Sequence, residues 1–144
     1  RGSNMSFRKS VFNIVGHFNT QLGRIGSELG GGEEKDIFKR IYNKQMKVLY
    51  VPDAIVFHTV PIERTTYRFI KQQAIGTGES EYIRVKNQGR IKIFQKILLE
   101  ISKWYISFFL FLWYIITLRI QKGWMIIRFR LWVSFGILQK LINR

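Results

Sequence analysis

The sequence lacks several features that would define its chemistry directly. It has no cysteine, which excludes disulfide bonds and metal sites built on thiolates. It also has no Asp-x-Asp motif and no glycine-rich phosphate-binding loop after a predicted strand. No apolar segment of a secretory signal follows Arg1, and the first methionine is Met5. We therefore expect the chain to be part of a longer protein whose N-terminal portion is missing here.

Acidic residues are scarce in the last part of the chain, where only Glu100 follows Glu81. The formal net charge is +15, and most of it lies after Glu81, in the same region as the longest apolar runs. Basic charge mixed with aromatic and aliphatic side chains indicates an anionic membrane surface, whereas binding to nucleic acid does not require an apolar run such as residues 108–113. The composition predicts an anionic membrane as a partner and no nucleic acid.

The last third of the chain has helical periodicity and divides into three segments: an amphipathic one at 90–103, an apolar one at 104–120 and an amphipathic one at 124–142. Gly123 is predicted to break the helix between the last two segments. The apolar segment would be about 25 Å long as a helix, against ~30 Å of hydrocarbon in a bilayer. A spanning helix, a re-entrant helix and a buried helix of a soluble protein are all compatible with this length.

The first 83 residues combine helical and strand-like patterns. The predicted elements are a helix at 6–15 that ends at Gly16, a helix at 33–44, strands at 48–51 and 54–58, and a helix at 65–75 that ends at the glycines of 76–78.

Between the first two helices lies the most distinctive segment, in which three consecutive glycines precede Glu33, Glu34 and Asp36. Glycine permits positive φ and a close approach of the backbone to a ligand. The acidic side chains fall in the first turn of the predicted helix, where the helix dipole favours negative charge. The segment predicts a loop that presents a carboxylate as a general base. A plain loop before a helix is the alternative.

Three motifs in this order carry a resemblance to a known family. Residues 1–8 read RGSNMSFR, residues 31–41 read GGEEKDIFKRI, and residues 50–58 read YVPDAIVFH. They resemble the C-terminal half of the catalytic domain of inverting family 2 glycosyltransferases, in which the same region reads RG.NM.FR, GGED.DLF.RL and Y.PDA.V.H. The resemblance implies an α/β fold, a partial GT-A fold, for residues 1–83, followed by a membrane-associated helical region at 84–144.

The resemblance also implies an activity, the transfer of a sugar from a nucleotide-sugar donor to a hydroxyl of a saccharide or lipid-linked acceptor. The catalytic aspartate of the family falls on Glu34, which would take the proton from the acceptor hydroxyl. Because glutamate is one methylene longer than aspartate, Glu33 and Asp36 stay open as alternatives. Gly31 and Gly32 would let the backbone approach the sugar.

Further polar residues match the family pattern or lie next to it. Asn4 and Arg8 would line the acceptor side, although a helix cap and a solvated charge explain them equally well. Arg64 and Arg68 would contact the pyrophosphate, with a solvated helix face as the alternative. His58 would lie near a divalent metal, Mg²⁺ or Mn²⁺, and a histidine that caps a strand is the alternative.

The nucleotide-binding half of the family would precede residue 1, so we expect this chain alone to be inactive and to bind no metal. The C-terminal helices would hold the site at the cytoplasmic face of the cell membrane. A hypothesis of a different class is a non-enzymatic basic module that binds membrane surfaces, in which the acidic loop only caps a helix.

Overall fold

The computed structural model describes residues 4–24, 26, 29–86 and 88–143, so the first three residues of the RGSNMSFR motif lie outside it. The described residues form α1 (Lys9–Val15), α2 (Glu33–Asn43), the 3₁₀ helix Ile62–Thr65, α3 (Tyr67–Lys86), α4 (Arg90–Ile116) and α5 (Ile120–Ile142). No β-strand occurs among them.

The predicted α/β fold, a partial GT-A fold, is therefore wrong for the described part of the chain, which is all-helical. The two segments predicted as strands, 48–51 and 54–58, are irregular and exposed, with Tyr50 88% and Phe57 96% accessible. A strand requires a neighbour that accepts and donates its backbone hydrogen bonds. No described segment pairs with these residues, so their β-branched and aromatic composition does not produce a sheet.

α1 and α2 form a small apolar core and confirm the first two predicted helices. Ile37 and Ile41, four residues apart on one face of α2, are 0% and 4% exposed and pack with Val15 of α1. Phe7 and Phe12 lie against this core with their ring centroids 5.6 Å apart. α1 ends at Gly16 as predicted, and the φ angle of this glycine is +76°.

α3 does not end at the glycines of 76–78, as the sequence predicted, but continues to Lys86. Glycine inside a helix costs about 1 kcal/mol relative to alanine, and here close packing offsets that cost. A Cβ atom on Gly78 would lie 2.0 Å from the carbonyl oxygen of Val133, and one on Gly136 would lie 2.1 Å from that of Ile75. The backbones of α3 and α5 therefore touch, which only glycine permits at these positions.

α4 and α5 form an antiparallel hairpin. The chain turns at residues 117–119, where Leu118 has a φ angle of +56°, so the predicted break at Gly123 is wrong. Gly123 instead lies inside α5 against the ring of Phe111, which a Cβ atom would approach to 2.9 Å. Further along, the indole Nε1 of Trp104 donates a hydrogen bond to the Ser134 hydroxyl at 3.2 Å. α5 thus packs on both α3 and α4.

Candidate functional site

The glycine loop before α2 takes a backbone conformation that fits its sequence. Gly32 precedes the helix with φ +93° and ψ 0°, a left-handed conformation that costs an L-residue with a side chain roughly 1–2 kcal/mol. Its carbonyl accepts the first helical hydrogen bond, from the amide of Asp36 at 2.9 Å. Glu33 and Glu34 therefore occupy the first turn, where the helix dipole stabilises their negative charge.

The loop is held against α3 by a hydrogen bond and by close backbone contact. The Gly31 amide donates to the Ser80 hydroxyl at 3.0 Å, and that hydroxyl donates to the Gly76 carbonyl at 2.8 Å. A Cβ atom on Gly76 of α3 would lie 2.4 Å from the Leu29 carbonyl oxygen of the loop. Within the segment before α2, a Cβ atom on Gly30 would lie 2.2 Å from the Gly23 carbonyl oxygen. The residues Gly76 and Ser80, one helical turn apart, thus form a platform for the loop.

The three candidate bases occupy different environments. The Oε2 atom of Glu33 is buried and has no hydrogen-bond partner among the described residues. Glu34 is half-buried, and its carboxylate forms no hydrogen bond or ion pair within the described part of the chain. Asp36 Oδ2 accepts a hydrogen bond from Nε of Arg40 at 3.0 Å and forms an ion pair with Nη2 of the same guanidinium, also at 3.0 Å. Glu33 and Glu34 therefore have uncommitted oxygen atoms, whereas Asp36 is engaged in an ion pair.

Arg40 explains why Asp36 is held in place. Besides Asp36, its guanidinium donates to the carbonyl oxygen of Val15 and, at 2.9 Å, to that of His17. These carbonyls lie at and just after the C-terminal end of α1, so the ion pair joins α1 to α2. The ion pair between Asp36 and Arg40 therefore has a structural role.

Glu81 links three helices next to the loop and was not predicted. It is 8% exposed and forms ion pairs with Lys96 of α4 at 2.5 Å, with Arg84 of α3 at 2.5 Å and with Lys35 of α2 at 3.7 Å. Burial alone would raise the pKa of Glu81, but the hydrogen bond from Lys96 and the charges of the three cations outweigh it and hold the pKa below its usual range.

Neither Ser80 nor Glu81 was singled out in the sequence, because the glycines before them indicated the end of a helix. The signal that could have found them is the short polar run at residues 79–81, which interrupts a basic and apolar region. Such a run on a buried helix face requires polar partners nearby.

The other predicted site residues are spread over the molecule. Asn4 Nδ2 donates to the Ala54 carbonyl at 2.5 Å, which brings the first and third motifs together. Arg8 is exposed immediately before α1 and makes no side-chain capping bond. Arg64 is half-buried in the 3₁₀ helix, and Arg68 is exposed on α3. Within the described ranges, no hydrogen bond or ion pair joins these residues to the glycine loop.

His58 is exposed, and its Nδ1 donates to the Thr59 carbonyl at 2.9 Å. This leaves Nε2 as the nitrogen available to a ligand. Among the residues that the structure describes, no group of three histidine, aspartate or glutamate side chains is placed to hold a metal ion.

No match to this chain was found among protein-family models, curated proteins or solved structures. The resemblance to family 2 glycosyltransferases rests on the motifs at 1–8, 31–41 and 50–58 alone.

The second candidate surface is the apolar exterior of α4. α4 is long and apolar enough to cross a membrane, and none of the other helices in the described ranges meets this condition. Its 27 residues extend about 40 Å, which exceeds the ~30 Å hydrocarbon core. Phe109 and Trp113 are 66% and 61% exposed. The length and composition of α4 indicate association with a membrane.

Proposed function

We propose that the chain is part of a membrane-associated glycosyltransferase that transfers a sugar from a nucleotide-sugar donor to a hydroxyl of a saccharide or lipid-linked acceptor. The observation that carries this proposal is the environment of Glu34. It lies in the first turn of α2, two residues after a glycine in the left-handed conformation, and its carboxylate is free of described protein partners.

In the proposed reaction, a Glu34 carboxylate oxygen takes the proton of the acceptor hydroxyl. The hydroxyl oxygen forms a bond to the anomeric carbon as the bond from that carbon to the diphosphate breaks, and the nucleoside diphosphate leaves with the electron pair. A general base contributes about 10²–10⁴-fold to such a step and must lie within hydrogen-bond reach of the proton. Accessibility favours Glu34 over Glu33, whose Oε2 is buried.

The platform on α3 supports the same assignment. A general base is effective only when its position is fixed to within a fraction of an ångström. The hydrogen bond between Gly31 and Ser80 and the contact between Gly76 and Leu29 hold the loop immediately before Glu34. In the proposal, most of the residues that bind the donor belong to the nucleotide-binding half of the family, and no step is assigned to a metal ion.

The membrane side of the proposal rests on α4 and on charge. The apolar exterior of α4 would lie in the bilayer, and the excess of Lys and Arg over acidic residues favours the cytoplasmic face. An acceptor at the membrane surface would then meet a loop that is joined to α4 through Glu81 and Lys96.

The test uses the full-length protein in native membranes. Release of nucleoside diphosphate is measured from UDP-, GDP- and dTDP-sugars with a membrane extract as the acceptor source. We expect Glu34→Gln to reduce the release of nucleoside diphosphate at least about 10²-fold and to leave donor binding unchanged. Asp36→Asn is the binding control, and we expect it to leave donor binding unchanged as well. If Glu34→Gln stays active and Glu33→Gln does not, Glu33 is the base. If both stay active, the proposal is wrong.

A second candidate function is a non-enzymatic module that binds membrane surfaces. The observation that favours it is the exposure of α4 together with the net charge of +15. This hypothesis predicts that Glu33→Gln and Glu34→Gln leave every function of the full-length protein unchanged, because the acidic loop would then only cap α2.

A further inference from the structure

A groove between α4 and α5 combines an apolar floor with positive charge. Its volume is about 540 Å³. The apolar lining is Ile106, Leu110, Met125, Ile126 and Phe129, and the polar lining is Lys103, Ser107, Lys122 and Arg130. No carboxylate lines the groove, so it presents cations and hydrocarbon together.

Arg130 is the residue that indicates a ligand. It is half-buried, its Nε donates to the Ser107 hydroxyl at 3.1 Å, and no carboxylate within the described ranges forms an ion pair with it. A guanidinium has five N–H donors, and one bond to a hydroxyl leaves four of them. A half-buried guanidinium among apolar side chains is stabilised by an anion, and its planar fork fits two phosphate oxygens.

The positions of the other cations define an orientation. Lys103 lies one helical turn before Ser107 on α4, so its ammonium lies at the same end of the groove as Arg130. Lys103 pairs with Glu100 at 2.6 Å, and Lys96, which also contacts Glu100 at 2.8 Å, pairs with Glu81 at 2.5 Å. Lys103 therefore adds an ammonium that already has a carboxylate partner, whereas Arg130 has no carboxylate partner among the described residues. Lys122 lies about 12 Å from Arg130 along the axis of α5, with the apolar lining between them.

We propose that this groove binds one anionic glycerophospholipid of the bilayer, with its phosphate on Arg130, Ser107 and Lys103 and an acyl chain along the apolar floor towards Lys122. Charge complementarity and the apolar floor argue for an amphiphile with a negative head group rather than for a free anion. The inference does not depend on the glycosyltransferase proposal, and its failure would leave that proposal unaffected.

Arg128 provides a control that separates binding in the groove from binding that follows net charge alone. Arg128 lies two residues from Arg130 on α5, is exposed, and is 5.9 Å from the ring centroid of Tyr67, outside the groove. Arg128→Gln and Arg130→Gln therefore remove the same charge at nearly the same level of the hairpin. Only the second removes a contact with the proposed phosphate.

The experiment measures lipid retention by native mass spectrometry of the 144-residue chain in detergent micelles, with dioleoylphosphatidylglycerol, dioleoylphosphatidylcholine or inorganic phosphate added. We expect one phosphatidylglycerol per chain in the wild type and in Arg128→Gln, and at least about tenfold weaker retention in Arg130→Gln, as the loss of charge-assisted hydrogen bonds implies. Helicity by circular dichroism confirms that each variant is folded.

A second variant tests the groove without changing charge. Ile126→Trp fills the apolar floor and should abolish retention, whereas Leu131→Trp on the exposed side of α5 should not. Equal losses in Arg128→Gln and Arg130→Gln would overturn the proposal, because binding would then follow net charge alone. Equal retention of phosphatidylcholine or of inorganic phosphate would also overturn it.

Discussion

The amide of Gly31 and the hydroxyl of Ser80, 49 residues apart in sequence, are joined by a hydrogen bond of 3.0 Å. This bond connects the loop that carries Glu33 and Glu34 to the helix that packs on α5. Through α5, the loop is attached to the hairpin with the exposed apolar helix. The candidate site and the candidate membrane region are therefore parts of one packed unit.

Ser80→Ala tests this connection. The substitution leaves the half-buried amide of Gly31 without its acceptor, which costs about 1 kcal/mol or somewhat more. We expect a lower thermal midpoint and faster hydrogen exchange at the Gly31 amide, measured by circular dichroism and by exchange mass spectrometry. Ser102→Ala, which removes only an exposed hydroxyl bonded to its own helix, is the matched control. Unchanged exchange in the loop of Ser80→Ala would show that the bond does not hold it.

Gly78→Ala and Gly136→Ala test the contact between α3 and α5. Alanine normally stabilises a helix by about 1 kcal/mol over glycine, but a Cβ atom would here lie 2.0 Å from the Val133 oxygen or 2.1 Å from the Ile75 oxygen. The helices must separate, so we expect each variant to lose about 1–3 kcal/mol of stability in urea unfolding. Gly31→Ala, with no atom within 4 Å of the added carbon, should be nearly neutral. Stabilisation by Gly78→Ala would contradict the packing.

These glycines also show the limits of prediction from sequence. The start of α2 at Glu33 was predictable because local chemistry decides it: a glycine with positive φ and acids in the first turn. The continuation of α3 through Gly76 and Gly78 was not, because it depends on what packs against them. Local propensity indicates a break there, and tertiary contact with Leu29 and Val133 reverses the outcome.

In the segments at 48–51 and 54–58, local composition predicts strands that tertiary contacts do not form. Their composition favours strands, but a strand depends on a partner that sequence patterns within the segment do not report. For the candidate site, the motif order predicts roles for Gly31, Glu33 and Glu34, which stay predictions, and it gives no indication of Ser80. The hydrogen bond that makes Ser80 important is formed across 49 residues.

Glu81 makes stability depend on pH in acid. Because the pKa of its carboxyl is lowered in the folded protein, the unfolded chain binds more protons as the pH falls. The contribution of Glu81 is present above its unfolded pKa, near 4.5, and is lost as the pH falls through the lower folded value. We expect the thermal midpoint to decrease below about pH 4.5, and Glu81→Gln to weaken this dependence and to lower the midpoint at pH 7. Glu63→Gln, on the exposed 3₁₀ helix, is the control. If Glu81→Gln has the slope of the wild type, other groups control acid stability.

Glu33→Gln and Glu34→Gln should differ in their effect on the thermal midpoint of the protein without ligand. The buried Oε2 of Glu33 has no described hydrogen-bond partner, and an unsatisfied buried acceptor costs about 1–3 kcal/mol, more when it is charged. Removing the charge while keeping the shape should therefore raise the thermal midpoint. Glu34→Gln should not raise it, because that carboxylate is more accessible and loses only its interaction with the helix dipole, about 0.3–1 kcal/mol. The comparison is made by differential scanning fluorimetry without any sugar nucleotide, so it is independent of catalysis. A lower midpoint in Glu33→Gln would mean that its carboxylate is stabilised by a contact with the protein, and Glu33 would then be a structural residue of the loop.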